Sequence, residues 1–387
     1  MVKPVRLPVA VATMALALTA CGSGAQQAAA PAAPGPAVPD PIVTTYDGGV
    51  LVLDGKTLAV AEDIPLPGFN RLNPAGDAEH VMVSTSTGFQ ALNAVRAQLT
   101  DVRFPAPKPG HVVRNAGRTV LFSDGTGEIT SFDTAELAAG APATDKHTAA
   151  EAHHGVAVEL SNGQMVLSLG NEEDRTGIAV LDEHRHEITR NEDCPGVHGE
   201  AVAQGEAVVI GCENGALVYR DGAISKITSP TPYGRIGNQA GSEHSPVVLG
   251  DYKQDEHAEL ERPQQVALVN TADSSLKLVD LGTSYTFRSL GRGPAGEALV
   301  LGTDGQLHVI DPVQAGVVRS IPVIGQWEEP LEWQQPRPAL FVRGGTAYVT
   351  DPAKREIHAI DLASGQKTAT GALPQAPNEI ATPLAGH

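Results

Sequence analysis

Short apolar runs alternate with turn dipeptides along almost the whole chain. The stretch TVLFSDG at 119–125 carries an apolar run into Asp124-Gly125, and EITSFD at 128–133 alternates away from it. The arrangement returns in AVVIGCENG at 207–215 followed by ALVY, and in ALVLGTDG at 298–305 followed by QLHVID. Asp-Gly and Asn-Gly supply the positive φ that tight hairpin turns need, so each pair of runs predicts a β-hairpin. Runs that are apolar throughout predict strands covered on both faces, and alternating ones predict half-covered strands. Almost no segment offers the 3.6-residue period of a helix, so the predicted class is all-β.

The unit recurs about every 40 to 45 residues, the spacing of four-stranded propeller blades. TAYVTD at 346–351 followed by EIHAID at 356–361 resembles the YVTN-type propeller repeat. Units begin near Asn70, His111, His154, His198, His244, Phe287 and Leu331. A partial unit over 42–66 holds only outer-strand material, and NEIATP at 378–383 can supply its missing inner strand. Eight blades are therefore predicted, in a ring closed by strands from both termini, which removes long unpaired edges. Seven blades, or a sandwich or two separate β domains, are the alternatives.

The first 41 residues break this pattern. Lys3 and Arg6 precede an uncharged apolar stretch at 9–18, about half the length of a membrane span. Leu18-Thr19-Ala20-Cys21 then matches the lipobox of bacterial lipoproteins. Residues 1–20 read as a signal peptide and Cys21 as the lipidated residue. Residues 21–41, almost all Ala, Pro, Gly and Gln after the cysteine, read as a disordered tether. A single propeller domain is expected over 42–387, outside the cytoplasm and held at the cell membrane by lipid alone.

Charge narrows the partners. The formal charge is −18, and loss of Lys3 and Arg6 with the signal takes it to −20. So acidic a surface disfavours nucleic acid and anionic lipid and tolerates cations. The folded part is expected to be a monomer.

The period also places the chemistry. His111, His154, His198 and His244 share one phase, where the first strand of a blade begins, so their imidazoles are expected at one mouth of the central channel. Glu200, two residues beyond His198, is expected to face the same way. Loops at that rim are expected to bring His147, Glu151, Asp145, Asp174, Asp193, Asp255 and His257, and His153 adjoins His154. Converging imidazole and carboxylate suit Zn2+ or a similar divalent ion. His111, His154 and His198 are the first choice of ligands; His153, His244, His147 and Glu200 are the second. The other blades carry Asn70 and Phe287 at this phase, so histidine is not demanded by the fold. His184 and His186 fall on the opposite rim and read as solvated, while His80, His308 and His358 read as structural.

Cys194 and Cys212 remain once Cys21 is lipidated. An oxidising compartment favours a disulfide between them, pinning the loop that presents His198. Thiolate ligation of zinc is the rival reading.

These motifs resemble those of the AztD zinc metallochaperone family: HHGVAV at 153–158, DCPGVHGEA at 193–201 and GCENG at 211–215. The resemblance extends over most of the chain from about residue 42. It implies an exported β-propeller that holds zinc by histidines at its mouth. It also implies a disulfide between the paired cysteines and transfer of the metal to the substrate-binding protein of a zinc ABC transporter. One departure is plain: the His- and Asp-rich stretch near the N-terminus of some members is replaced here by an Ala/Pro-rich segment without histidine. Two other functions remain open on the residues alone. One is a metal-dependent propeller hydrolase or lactonase with Glu200 as general base, although no nucleophile elbow is present. The other is a scaffold propeller that binds protein.

Overall fold

The computed structural model describes residues 1–2 and 37–384. The expected signal peptide, Cys21 and most of the tether lie outside these residues.

Strands form where the sequence alternates or runs apolar, and they assemble into eight sheets arranged as a β-propeller. Blade 2 spans residues 71–105, blade 3 109–148, blade 4 157–191, blade 5 198–228, blade 6 239–280, blade 7 290–322 and blade 8 340–372. Blade 1 combines Ile42–Tyr46, Gly49–Leu53 and Val60–Pro65 with Ile380–Ala381. Within each blade neighbouring strands are antiparallel, so consecutive strands alternate between the two rims of the ring. Blade 5 gains a further two-residue strand, Gly234–Arg235, parallel to Asn214–Arg220.

Burial follows the sequence pattern. The middle strands Gly49–Leu53 of blade 1 and Ala207–Cys212 of blade 5 are buried at every residue, whereas the outermost strand Val60–Pro65 is mostly exposed. The apolar layers lie between blades: one cluster joins Val113 and Phe122 of blade 3, Val166 and Ile178 of blade 4, and Ile210 and Leu217 of blade 5. Burying a Val, Leu or Ile side chain contributes about 1.5–3 kcal/mol, so each blade depends on its neighbours for stability. Turns behave as their residues require: Asp221 and Gly222, both at positive φ, close the hairpin between Asn214–Arg220 and Ala223–Thr228.

The expected closure is present. Val43 pairs with Ala381 and Thr44 with Ile380. Thr44 Oγ1 donates to Glu379 O at 2.7 Å, and Asn378 N donates to Thr45 O at 2.8 Å.

Two predicted blade starts are displaced. The inner strand of blade 6 is Gln239–Ala240, ahead of His244, and that of blade 8 is Leu340–Arg343, beyond Leu331. Ser242, Ser245 and Pro246 make a turn at the first place, with Ser245 N bonded to Ser242 O. At the second, Pro330, Pro336 and Pro338 remove ladder donors and hold residues 330–338 out of the sheet.

Candidate metal centre

Three neighbouring blades bring one histidine each to the same rim. His111 sits near the start of Pro109–Asn115, His154 just before Ala157–Glu159, and His198 opens His198–Ala203. Their ring centroids lie 5.1 Å (111–154), 5.5 Å (111–198) and 4.9 Å (154–198) apart. One ring nitrogen of each falls within 4.8 Å of the other two.

Each ring is held through its other nitrogen. His154 Nδ1 stands 2.5 Å from Asp124 Oδ2, and His198 Nδ1 stands 2.5 Å from Gly237 O. His111 Nδ1 is 3.0 Å from Glu200 Oε2, a buried oxygen with no hydrogen-bond donor of good geometry. A carboxylate or carbonyl behind the ring fixes orientation and tautomer and raises the basicity of the outward nitrogen. The His154 and His198 Nε2 atoms face each other at 3.0 Å. Zn–N distances of about 2.0–2.1 Å make neighbouring ligand nitrogens in a tetrahedral site a little over 3 Å apart, so this spacing fits.

Glycines allow the close packing. Gly199 has φ +69°, and a Cβ there would come within 2.3 Å of Gln239 Oε1 and 2.6 Å of Gly237 O. It is the site of a β-bulge: the register slips between His198 and Glu200, and the carboxylate comes to His111. Gly110 leaves room for Asp124, whose Oδ1 would lie 2.0 Å from a Cβ.

The disulfide reinforces the same residues. Cys194 and Cys212 are bonded, and both are fully buried. Such a bond fits a chain that folds outside the reducing cytoplasm. Cys212 O accepts from Ile236 N at 3.0 Å, immediately before Gly237, while Cys194 lies four residues before His198. Arg235 secures the loop with hydrogen bonds to Glu213 Oε1 (3.2 Å) and Gly196 O (3.4 Å).

Burial, then the neighbouring His111 and His154, hold His198 well below the usual imidazole pKa of 6.5. The ring is therefore neutral at pH 7, the form that ligates a metal. A cavity of about 360 Å³ opens beside His154 and His198, bounded also by Arg71, Asp251, Lys253 and Trp333.

Of the second-choice ligands, Glu200 lies behind His111, and the others lie elsewhere. His244 is in the turn after the inner strand of blade 6, on the opposite rim, 3.2 Å from Glu243. Its phase was displaced by the Ser/Pro turn. His147 belongs to the outermost strand Asp145–Thr148, and Asp145 binds Arg118 at the opposite rim. His153 points inward, with Nε2 2.8 Å from Ser168 Oγ and Nδ1 2.9 Å from Glu151 O. His257 and Asp193 are exposed and pair with Glu256 and Lys226. His184 and His186 are exposed on the opposite rim, as expected. Asp124 and Gly237 were not anticipated: Asp124 reads as the first residue of a hairpin turn, and a backbone carbonyl has no sequence signature.

The comparisons agree with the resemblance read from the sequence. The chain is 27% identical over 282 residues to the zinc chaperone AztD of Citrobacter koseri, a match covering 70% of this chain and 64% of that protein's own length. Crystal and apo structures of Citrobacter koseri AztD superpose with a TM-score of 0.76 at 23% identity, covering 88% of this chain and 96% of theirs. The dihydro-heme d1 dehydrogenase NirN, in complex with DHE, gives a TM-score of 0.60 at 10% identity, over 89% of this chain and 75% of NirN. These structural likenesses establish the fold. No known protein-family profile matches the chain.

Proposed function

We propose that this chain is an extracytoplasmic zinc chaperone, lipid-anchored at Cys21 and monomeric, that binds Zn2+ through His111, His154 and His198. It passes the ion to the substrate-binding protein of a zinc ABC transporter. One observation carries the reading. With their Nδ1 hydrogens directed at Asp124 and Gly237 O, His154 and His198 both present Nε2 lone pairs, and these face each other at 3.0 Å. Two lone pairs at that distance repel, and a cation between them removes the repulsion.

The chemistry of the donor set also suits transfer. Three neutral imidazoles leave a fourth tetrahedral position for an incoming ligand, whereas a structural zinc is closed by four protein ligands. The cavity beside His154 and His198 gives that ligand a route in. The similarity to a protein named a zinc chaperone supports cargo over a reaction centre. In transfer by ligand sharing, the acceptor's own residue takes the open position, and the histidines then release one by one. The tether keeps donor and acceptor at the same membrane face, raising the effective concentration.

The test is stopped-flow transfer from the zinc-loaded full chain to such a binding protein. The rate is expected to rise with acceptor concentration and exceed spontaneous zinc loss. Transfer capped at the dissociation rate, or fully intercepted by a chelator that does not bind the chain, would reduce the protein to a zinc buffer. Ester or lactone hydrolysis dependent on His154 and Glu200 would place it among the metal-dependent hydrolases.

A further inference from the structure

Blades 7 and 8 carry a histidine at the same strand position. His308 lies third in Gln306–Asp311 and His358 third in Glu356–Asp361. Each faces a hydroxyl residue on the outermost strand, His308 opposite Ser320 and His358 opposite Thr370. In both, Nδ1 meets that hydroxyl at 3.0 Å. The other ring nitrogen separates them. His308 Nε2 is satisfied by Asp304 Oδ1 of the adjoining turn at 3.3 Å. His358 Nε2 is buried and has no hydrogen-bond partner, although the residue is only 2% exposed.

The turn beside His358 is flanked by two carboxylates, Asp351 at the end of one strand and Glu356 at the start of the next. Glu356 Oε2 lies 3.6 Å from Nε2, outside hydrogen-bond range. One oxygen of Asp351, one of Glu356 and a nitrogen of His358 fall within 4.8 Å of one another. A buried nitrogen left unpaired costs about 1–3 kcal/mol, a cost that the turn of blade 7 avoids. Two carboxylates drawn around it repel each other as well. A divalent cation answers both defects: it accepts the nitrogen lone pair and neutralises the carboxylates.

We propose that Asp351, Glu356 and His358 form a second divalent-cation site, on the same rim as the histidine triad but in blade 8. Mixed imidazole and carboxylate donors suit Zn2+ and exclude the soft, thiolate-seeking ions. Lys354 Nζ, 3.6 Å from Asp351 Oδ2, competes for the site; 60% exposed, it can swing into solvent as the cation enters. This competitor makes the site weaker than the triad. The site does not depend on the triad holding metal, nor on transfer to a partner.

The test uses Zn2+ and the full chain carrying His111→Ala, His154→Ala and His198→Ala, with bound metal read by equilibrium dialysis and calorimetry. One ion per chain is expected to remain. Adding Glu356→Gln, nearly isosteric and on a partly exposed side chain, is expected to weaken binding at least tenfold. Adding Lys354→Ala instead is expected to tighten it severalfold, a gain that misfolding cannot mimic. Absence of the ion from the triple variant overturns the proposal. So does an ion whose affinity neither added substitution changes.

Discussion

The Nε2 atoms of His154 and His198 meet at 3.0 Å although the residues belong to different blades, and His111 joins them from a third. An ion held there ties blades 3, 4 and 5 together, adding to the apolar packing between them and to polar contacts such as Asp124 with His154. Zinc is therefore expected to raise the unfolding temperature of the full chain. A ligand that binds only the folded state contributes about 2.7 kcal/mol at a free concentration a hundred times its Kd. Calorimetric scans with and without zinc check this, and an unchanged transition would rule out binding at the triad.

Replacing His154 and His198 together by Ala is expected to abolish tight zinc binding and leave the β-type circular dichroism unchanged. Both rings lie at the rim of the sheets and contribute little to the core. Full affinity in the double variant would show that the ion binds elsewhere.

Asp124→Asn keeps the shape of the side chain behind His154 and removes its charge. Loss of such a supporting carboxylate typically costs 10–100-fold in metal affinity, and that range is expected here. Zinc titration against a competing chelator measures it. A change below twofold would show that Asp124 serves its turn alone.

Burial holds His153 below its ordinary pKa, as it does His198. The unfolded chain therefore takes up these protons first as pH falls. Stability from the neutral rings is complete above about pH 6.5 and declines as pH drops toward the folded values. The urea midpoint of the metal-free chain is expected to fall between pH 7.5 and 5.5, and His153→Gln is expected to flatten that slope. An equally steep slope in the variant would remove His153 from the explanation.

Cys194→Ser with Cys212→Ser opens a crosslink between residues 18 apart. The chain-entropy relation gives a loss of about 3 kcal/mol for a loop of this length. Zinc affinity is expected to fall as well, because the crosslink steadies both His198 and the Gly237 carbonyl behind it. Denaturant unfolding and zinc titration of the same variant separate the two effects. A weaker fold with unchanged affinity would confine the disulfide to stability.

Much of this was legible in the chain. Asp-Gly and Asn-Gly turns at blade spacing predicted eight blades, and the apolar residues near 380 predicted the closing strand. His111, His154 and His198 fell at one phase because each stands at or close to the start of the inner strand in successive blades. His244 misled because Ser242, Ser245 and Pro246 make a turn where the period alone predicts a strand. Asp124 stayed hidden because its contact crosses from one blade to the next: the turn it opens is local, and the ring it supports is 30 residues away. His358 reads as an ordinary buried histidine until the satisfied His308 of the neighbouring blade is set beside it.

The hydrogen bond from Thr44 to Glu379 joins positions 335 residues apart, whereas the triad spans only His111 to His198. A chain made or delivered N-terminus first leaves the first blade without its inner strand until residues near 380 arrive. Blades 3 to 5, with all three ring nitrogens and the disulfide, are complete well before that. Such a long loop closes slowly, since its entropy must be lost before the contact repays it. The three rings can therefore meet while the circle is still open, so assembly of the triad and closure of the ring are separable in time.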